Sequence, residues 1–338
     1  VQASFFVHNT DSTARCIVIE LAKLAPVALI VTALAAQADE SQIATYRGNC
    51  DASAASALDA THFVVGNDEG NTIHIYRRGE AAAVASLDLS RFLRTNKDEE
   101  SDIEAAAAIG SRIYWITSHG RNSKGKVQPS RHRFFATEIV RGQRPSVKSV
   151  GEPYTELLRD MEKSDALKHY KLRDASRHPA EAEGGLNIEG LAATPEGTLL
   201  IGFRNPLPRQ RALIVQLLNP ADLIVGKAAR FGTPLELDLG QRGIRSIEQF
   251  GNGYLIVAGP TANVGSFALF RWSGNAGDAA NPLADIDLKG LRPEALFPVG
   301  AGKEVQLLSD DGGIAVNGIE CKKLPIGKQT FRSLSISP

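Results

Sequence analysis

Residues that usually carry chemistry are scarce in this sequence, and each absence narrows what it can be. Its 338 residues include three Cys, one Met, two Trp and seven His, and no two Cys or His stand at the short spacings that build zinc sites. No G-x-S-x-G elbow occurs, so the usual strand–turn–helix serine nucleophile is missing. Gly120–Val127 (GRNSKGKV) nearly spells a phosphate loop, but Val127 replaces the hydroxyl residue and Pro129 blocks the helix that must follow. Ser118 and His119 are adjacent, so in a strand they point to opposite faces and make a poor nucleophile–base pair. Asp310-Asp311-Gly312-Gly313 lacks the spacing of an EF-hand. Excess charge is missing too. Lys and Arg number 38, as do Asp and Glu, so no global field draws in nucleic acid or anionic lipid, and electrostatic recognition must be local. Nothing resembles a nucleic-acid reader.

No apolar run is long enough for a permanent membrane span, which needs roughly 18 or more residues. The longest is Ala25–Ala36 (APVALIVTALAA), preceded by Lys23 and ending in the small-residue site Ala36-Gln37-Ala38. That is the pattern of a cleaved secretory leader. Residues 1–38 are expected to be this leader and upstream sequence, with translation starting near Val18 or Leu21, and residues 39–338 a single domain in the periplasm or outside the cell. Cleavage discards Cys16 and leaves Cys50 and Cys321, one near each end. In an oxidising compartment a disulfide between them is expected, with two separate buried thiols as the alternative.

What the sequence has is an internal repeat. A unit recurs five times, opening on a polar residue, an apolar or small one, and a second polar residue. The copies are Asp51-Ala52-Ser53, Asp102-Ile103-Glu104, Asn187-Ile188-Glu189, Ser246-Ile247-Glu248 and Arg292-Pro293-Glu294. Side chains two apart in a strand share a face, so each copy is expected to aim its polar pair one way. An apolar strand follows in each copy: 63–68, 114–119, 199–204, 254–259 and 305–310. Third strands are read at 72–76, 133–137, 212–215, 267–270 and 314–316, and fourth strands at 83–89, 145–150, 235–239 and 283–288. Short strands, glycine turns and a period of about 40–50 residues describe propeller blades. The fold class is therefore all-β, a β-propeller of five blades, with six as the alternative. Ile43–Tyr46 is expected to add a strand to the last blade and close the ring. Tyr154, Leu157, Leu158 and Met161 sit at helical spacing, predicting an amphipathic helix from Tyr154 to about Tyr170. A polar, mobile stretch at 173–183 is expected after it. Together they form an insertion at about 151–184, between the second and third blades.

Nine segments, in order along the chain, carry a family resemblance: Cys50–Ala54 (CDASA), Asn67–Glu69, Ser101–Ala105 (SDIEA), Thr117–Asn122 (TSHGRN), Arg131–Arg133, Leu186–Leu191 (LNIEGL), Gly202–Pro206 (GFRNP), Gly243–Glu248 (GIRSIE) and Ala258–Pro260. They resemble the bacterial family catalogued as domain of unknown function 3616, over nearly the whole mature chain. That resemblance brings no catalytic residues with it. The repeat style is also similar, more distantly, to secreted phytase-like esterase and lactonase propellers, an analogy of fold alone.

Innermost propeller strands line a central channel, so Asp51, Asp102, Glu104, Glu189, Glu248 and Glu294 are expected to converge there. Crowded carboxylates repel and stay ionised only with a cation or basic partners among them. Hard oxygen ligands favour Ca²⁺ or Mg²⁺; no organic cofactor is expected. Arginine pairing is the other solution, with Arg121, Arg204, Arg245 and Arg292 beside the repeat positions. Loops after the second strands should gather at one mouth, offering Asn67, Asp68, Glu69, Ser118, His119, Arg121, Asn122, Arg204, Asn205, Asp310 and Asp311, with Arg131 nearby. Arg121, Arg131, Arg204, Asn205 and Arg245 are the expected contacts to a small anionic substrate, and Glu104, Glu189 and His119 the expected acid–base groups. Two functions fit: a monomeric metal-assisted hydrolase of phosphoesters or lactones, or a non-catalytic propeller that binds a small anionic ligand or a protein partner.

Overall fold

Short runs rich in β-branched and aromatic residues, cut every few positions by glycine and Asx turns, leave the chain little choice but short antiparallel strands. The computed structural model describes residues 43–338 except 97, 98, 263 and 301; the expected leader lies outside these residues. Strand β1 (Ile43–Arg47) opens the described chain. The first sheet contains β2 (Ala54–Ala57), β3 (His62–Gly66), β4 (Thr72–Arg77) and β5 (Ala83–Asp88). The second contains β6 (Ile103–Ile109), β7 (Arg112–Thr117), β8 (Phe134–Val140) and β9 (Ser146–Tyr154). The third has β10 (Asn187–Ala193), β11 (Leu199–Asn205), β12 (Ala212–Leu217) and β13 (Leu235–Leu237). The fourth has β14 (Gly243–Phe250), β15 (Gly253–Gly259), β16 (Ala268–Trp272) and β17 (Asn281–Pro282). The last is built from β18 (Pro293–Val299) and β19 (Glu304–Ser309), then, after a small hairpin of β20 (Ala315–Val316) and β21 (Ile319–Glu320), from β22 (Thr330–Ile336).

Strand β1 completes that last sheet, pairing antiparallel with β22 from Ile43↔Leu334 to Arg47↔Thr330. First strands neighbour one another in the order β2, β6, β10, β14, β18 and back to β2, which makes a closed five-bladed propeller. Each inner strand stays the edge of its own sheet, facing the axis, and the ring closes by packing of the last blade against the first. Cys50 and Cys321 form a disulfide across the same seam, Cα atoms 5.9 Å apart.

Five apolar clusters fill the gaps between successive blades. Between blades 1 and 2, for example, Val64, Ile73 and Ile75 pack against Ile103, Ile113 and Trp115. Trp115 is fully buried and its Nε1–H donates to Thr137 Oγ1 at 2.9 Å, which removes the cost of burying the indole N–H. Burying each large apolar side chain contributes about 1.5–3 kcal/mol, so adjacent blades are held by their shared cores rather than by their loops. Blades 3 and 4 meet through bare backbone: a Cβ on Gly190 or Gly202 would fall 2.8 or 2.7 Å from Ile244 Cγ2.

Four sequence expectations need correction. The third strand of the last blade is β22, because residues 314–316 fold back into the β20–β21 hairpin. The fourth strand of blade 4 is β17 at 281–282, and 283–288 leaves the sheet. The expected long helix is broken: Leu157–Lys163 is helical, with Leu157, Leu158 and Met161 buried, but the chain turns extended at Ser164 and continues as a 3-10 turn at Lys168–Tyr170 and a short helix at Leu172–Ala175. The stretch at 173–183 is tied to the propeller, since Arg121 Nε donates to Ser176 O at 2.8 Å and Asn205 Nδ2 to Ala180 O at 2.9 Å. Among the described residues, no helix is long and apolar enough to cross a membrane.

Candidate functional site at the channel mouth

Each inner strand delivers one side chain to the axis through a break in its ladder. In β6, Ile103 pairs with Thr117 and Ala105 with Ile116, which leaves Glu104 unpaired in a β-bulge. The same shift leaves out Glu189 in β10, Arg245 in β14 and Glu294 in β18. A bulge re-aims the extra residue and interrupts strict alternation. Ser53 holds the corresponding place immediately before β2. The axis therefore presents Ser53, Glu104, Glu189, Arg245 and Glu294, all buried.

Glu248 is not one of them. It pairs in register with Leu255, farther along β14, and does not line the channel cavity. The sequence copy Ser246-Ile247-Glu248 is displaced by three residues from the true fourth copy, whose axis residue is an arginine. Burial alone lifts the Glu248 carboxyl to about 8, with no charged group contributing.

The cavity at the mouth has a volume of about 500 Å³ and is lined by eleven carboxylates and six cationic side chains in a chain that is neutral overall. These charges are divided unevenly. On the side of blades 3 to 5, Arg204 Nη1 meets Glu189 Oε1 at 2.9 Å, and Glu181 lies 3.8 Å from the same guanidinium. Arg245 Nε stands 2.8 Å from Glu189 Oε2, a charge contact without hydrogen-bond alignment, and its Nη2 meets Glu294. Asn187 Nδ2 donates to Glu189 Oε1 at 2.8 Å. Arg245 also lies over the Phe267 ring, 5.5 Å from its centroid. This wall uses the arginine solution.

The side of blades 5, 1 and 2 differs. Glu104 is 7% exposed and makes no hydrogen bond or ion pair among the described residues. Burial, then the charges of Glu189, Asp102 and Asp68, push its carboxyl well up. Asp102 has a partner in Arg131 at 2.9 Å, and Arg131 is also held by Glu100. Even so, burial outweighs the arginine and lifts Asp102 to about 6. Asp51, Asp68, Glu69 and Asp310 continue this acidic wall, with Lys322 Nζ on Glu69 at 2.7 Å. Arg121 and Arg292 line the cavity with no carboxylate partner among the described residues.

Of the residues expected at the mouth, Asn67, Ser118, His119, Asn205 and Asp311 lie outside the cavity lining. His119 is buried behind it; its Nδ1–H donates to Thr117 O at 2.8 Å, and Nε2 is buried without a partner. Burial, then His132, pushes its imidazole down to about 3, too weak a base for proton transfer near neutral pH. Asn205 is spent on Ala180 O and Ala182 O. Glu100, Glu181 and Lys322 were not expected at the site. Proximity to Cys321 is the one sequence signal that could have placed Lys322 there; Glu100 stands in an acidic run that carries no motif.

The model of a family described as a protein of unknown function (DUF3616) matches residues 147–315. No curated protein matches the chain at a significant level. Among solved structures, glutaminyl cyclase from Myxococcus xanthus is 9% identical with a TM-score of 0.46, the match covering 87% of this chain and 94% of that one. A putative oxidoreductase (glucose dehydrogenase) from Thermus thermophilus is 14% identical with a TM-score of 0.44, covering 88% and 100%. The PQQ-bound aldose sugar dehydrogenase of Streptomyces coelicolor is 11% identical with a TM-score of 0.41, covering 88% and 99%. Likeness at this level carries no argument about activity.

Proposed function

The chain belongs to the DUF3616 family of proteins of unknown function, and we propose that it is a metal-assisted hydrolase of phosphoesters or lactones, working outside the cytoplasm at the mouth of its central channel. One observation carries this reading: Glu104 is a buried carboxylate with no partner, surrounded by carboxylates. Ionised and alone it would cost several kcal/mol. Protonation or a bound cation relieves that cost, and hard oxygen donors without thiolate or imidazole suit Ca²⁺ or Mg²⁺. In this reading Glu104 and Asp102 hold the cation. A divalent ion there supplies Lewis-acid polarisation of the scissile ester and a more acidic bound water. Arg121 and Arg292 orient the anionic group of the substrate, because their guanidinium groups are not spent on carboxylates. Glu189 stays with Arg204 and Arg245 and keeps that wall rigid. The disulfide Cys50–Cys321 suits an oxidising compartment.

The removal of His119 from the cavity favours the second reading, a propeller that binds a small anionic ligand through Arg121 and Arg292 without turning it over. Assays of phosphoesters and lactones with Ca²⁺ or Mg²⁺ separate the two. Turnover that chelation abolishes, and that Glu104→Gln lowers at least a hundredfold, supports the hydrolase. A thermal shift with organic phosphates or sugar acids, without turnover of any of them, supports the binding protein.

A further inference from the structure

We infer that Asp51, Asp68 and Glu69, with Asp310 facing Asp51, form a separate divalent-cation site at the seam where the propeller ring closes. The four residues come from the first and last blades. Asp51 follows the disulfide residue Cys50 and bridges to Asp310, which follows β19. Asp68 and Glu69 occupy the turn between β3 and β4. One carboxylate oxygen from each of Asp51, Asp68 and Glu69 lies within 4.8 Å of the others. Oxygens bound to one Ca²⁺ at about 2.4 Å can be no farther apart than about 4.8 Å.

Acidic clusters are common on surfaces, but this one holds side chains that lack partners. Asp51 is 5% exposed and no donor reaches its carboxylate among the described residues; the group facing it is the carboxylate of Asp310. Asp68 Oδ1 is buried with no hydrogen bond. Buried oxygens of this kind are nearly always satisfied, and one ammonium, Lys322, is too little for four carboxylates. Gly312 packs its backbone against the Asp51 carboxylate, where any side chain would collide with it. All donors are hard oxygens, the Ca²⁺ preference. An ion here ties the ring's first and last blades beside the disulfide. This site is independent of the hydrolase reading, which uses Asp102 and Glu104.

The test is calorimetric titration of CaCl₂ into the chelator-stripped full chain, with thermal unfolding in parallel. Ca²⁺ a hundredfold above its Kd should raise Tm by about 5 °C. Asp68→Asn should abolish that rise. Glu69→Gln, in an exposed turn and so a control against misfolding, should weaken binding at least tenfold. Glu104→Gln should keep the rise even where it abolishes turnover. The proposal is overturned if the unsubstituted chain shows neither heat nor shift, if both seam variants respond like it, or if Glu104→Gln loses the rise, which would place a single cation at Glu104.

Discussion

Arg245 Nε stands 2.8 Å from Glu189 Oε2, while the other face of the same guanidinium meets Glu294. The one basic residue among the five at the axis thus bridges the blades on both sides of its own. Glu104, flanked by Ser53 and Glu189 around the ring, has no such neighbour. The two walls of one channel therefore solve carboxylate crowding in different ways.

Removing the bridge should be costly. Arg245→Met leaves Glu189 and Glu294 buried with less compensation, and a loss of about 3–5 kcal/mol is expected in urea unfolding. Adding Glu189→Gln to that variant should recover part of the loss. If Arg245→Met unfolds at the wild-type midpoint, the ion pairs contribute nothing net.

Glu104→Gln should act in the opposite direction in the absence of metal. Burying a neutral amide in place of a crowded carboxylate raises stability at pH 7 in chelator by about 1–3 kcal/mol, and differential scanning calorimetry reads this directly. An unchanged or lower Tm would show that Glu104 has a partner.

Glu248 gives a pH dependence with a definite sign. Its carboxyl titrates near 4.5 when unfolded and at about 8 when folded. Between those values the folded state binds more protons, so this contribution to stability is fully present below pH 4.5 and is lost as pH rises to about 8. Glu248→Gln should flatten that part of the stability profile and raise Tm at about pH 8. Equal slopes for the two proteins would be evidence against a raised carboxyl at Glu248.

Gly202→Ala forces a methyl group into Ile244 across the interface of blades 3 and 4. Overpacking of this kind costs about 1–3 kcal/mol. Ile244→Ala removes the Cγ2 that the methyl group meets, so the double variant should lose less than the sum of the two single losses in the same denaturant series.

Replacing both Cys50 and Cys321 with Ser opens a loop of 271 residues of sequence separation and should cost about 5 kcal/mol in the chain-entropy model. The variant should also bind Ca²⁺ more weakly, because Asp51 and Lys322 are the chain neighbours of the two half-cystines.

The ring, its closure by Ile43–Arg47 and the Cys50–Cys321 link were legible in the sequence, because short apolar runs between turns repeat and the cysteines sit at matching ends. The axis was only partly legible. Alternation places residues two apart on one face, and a bulge breaks that rule without leaving a mark on composition. So Glu104, Glu189 and Glu294 were found, while in blade 4 the search for a glutamate ran past Arg245 to Glu248. Residues 314–316 read as a blade strand because nothing local distinguishes an apolar hairpin from one. His119 looked catalytic because burial, which disarms it, is a tertiary property.

The bulges have a consequence for how such a channel changes over time. A bulged residue takes no part in ladder pairing, so its identity is set by what surrounds the axis and hardly at all by the sheet that carries it. Ile103–Thr117 and Ala105–Ile116 hold blade 2 together whatever stands at 104. The axis reads Ser, Glu, Glu, Arg, Glu like a five-letter word in which a letter changes cheaply only together with its neighbours, as Arg245 would with Glu189 and Glu294. Coordinated respelling of that kind would alter the charge of the channel while the ladder pairs that build the blades stay as they are.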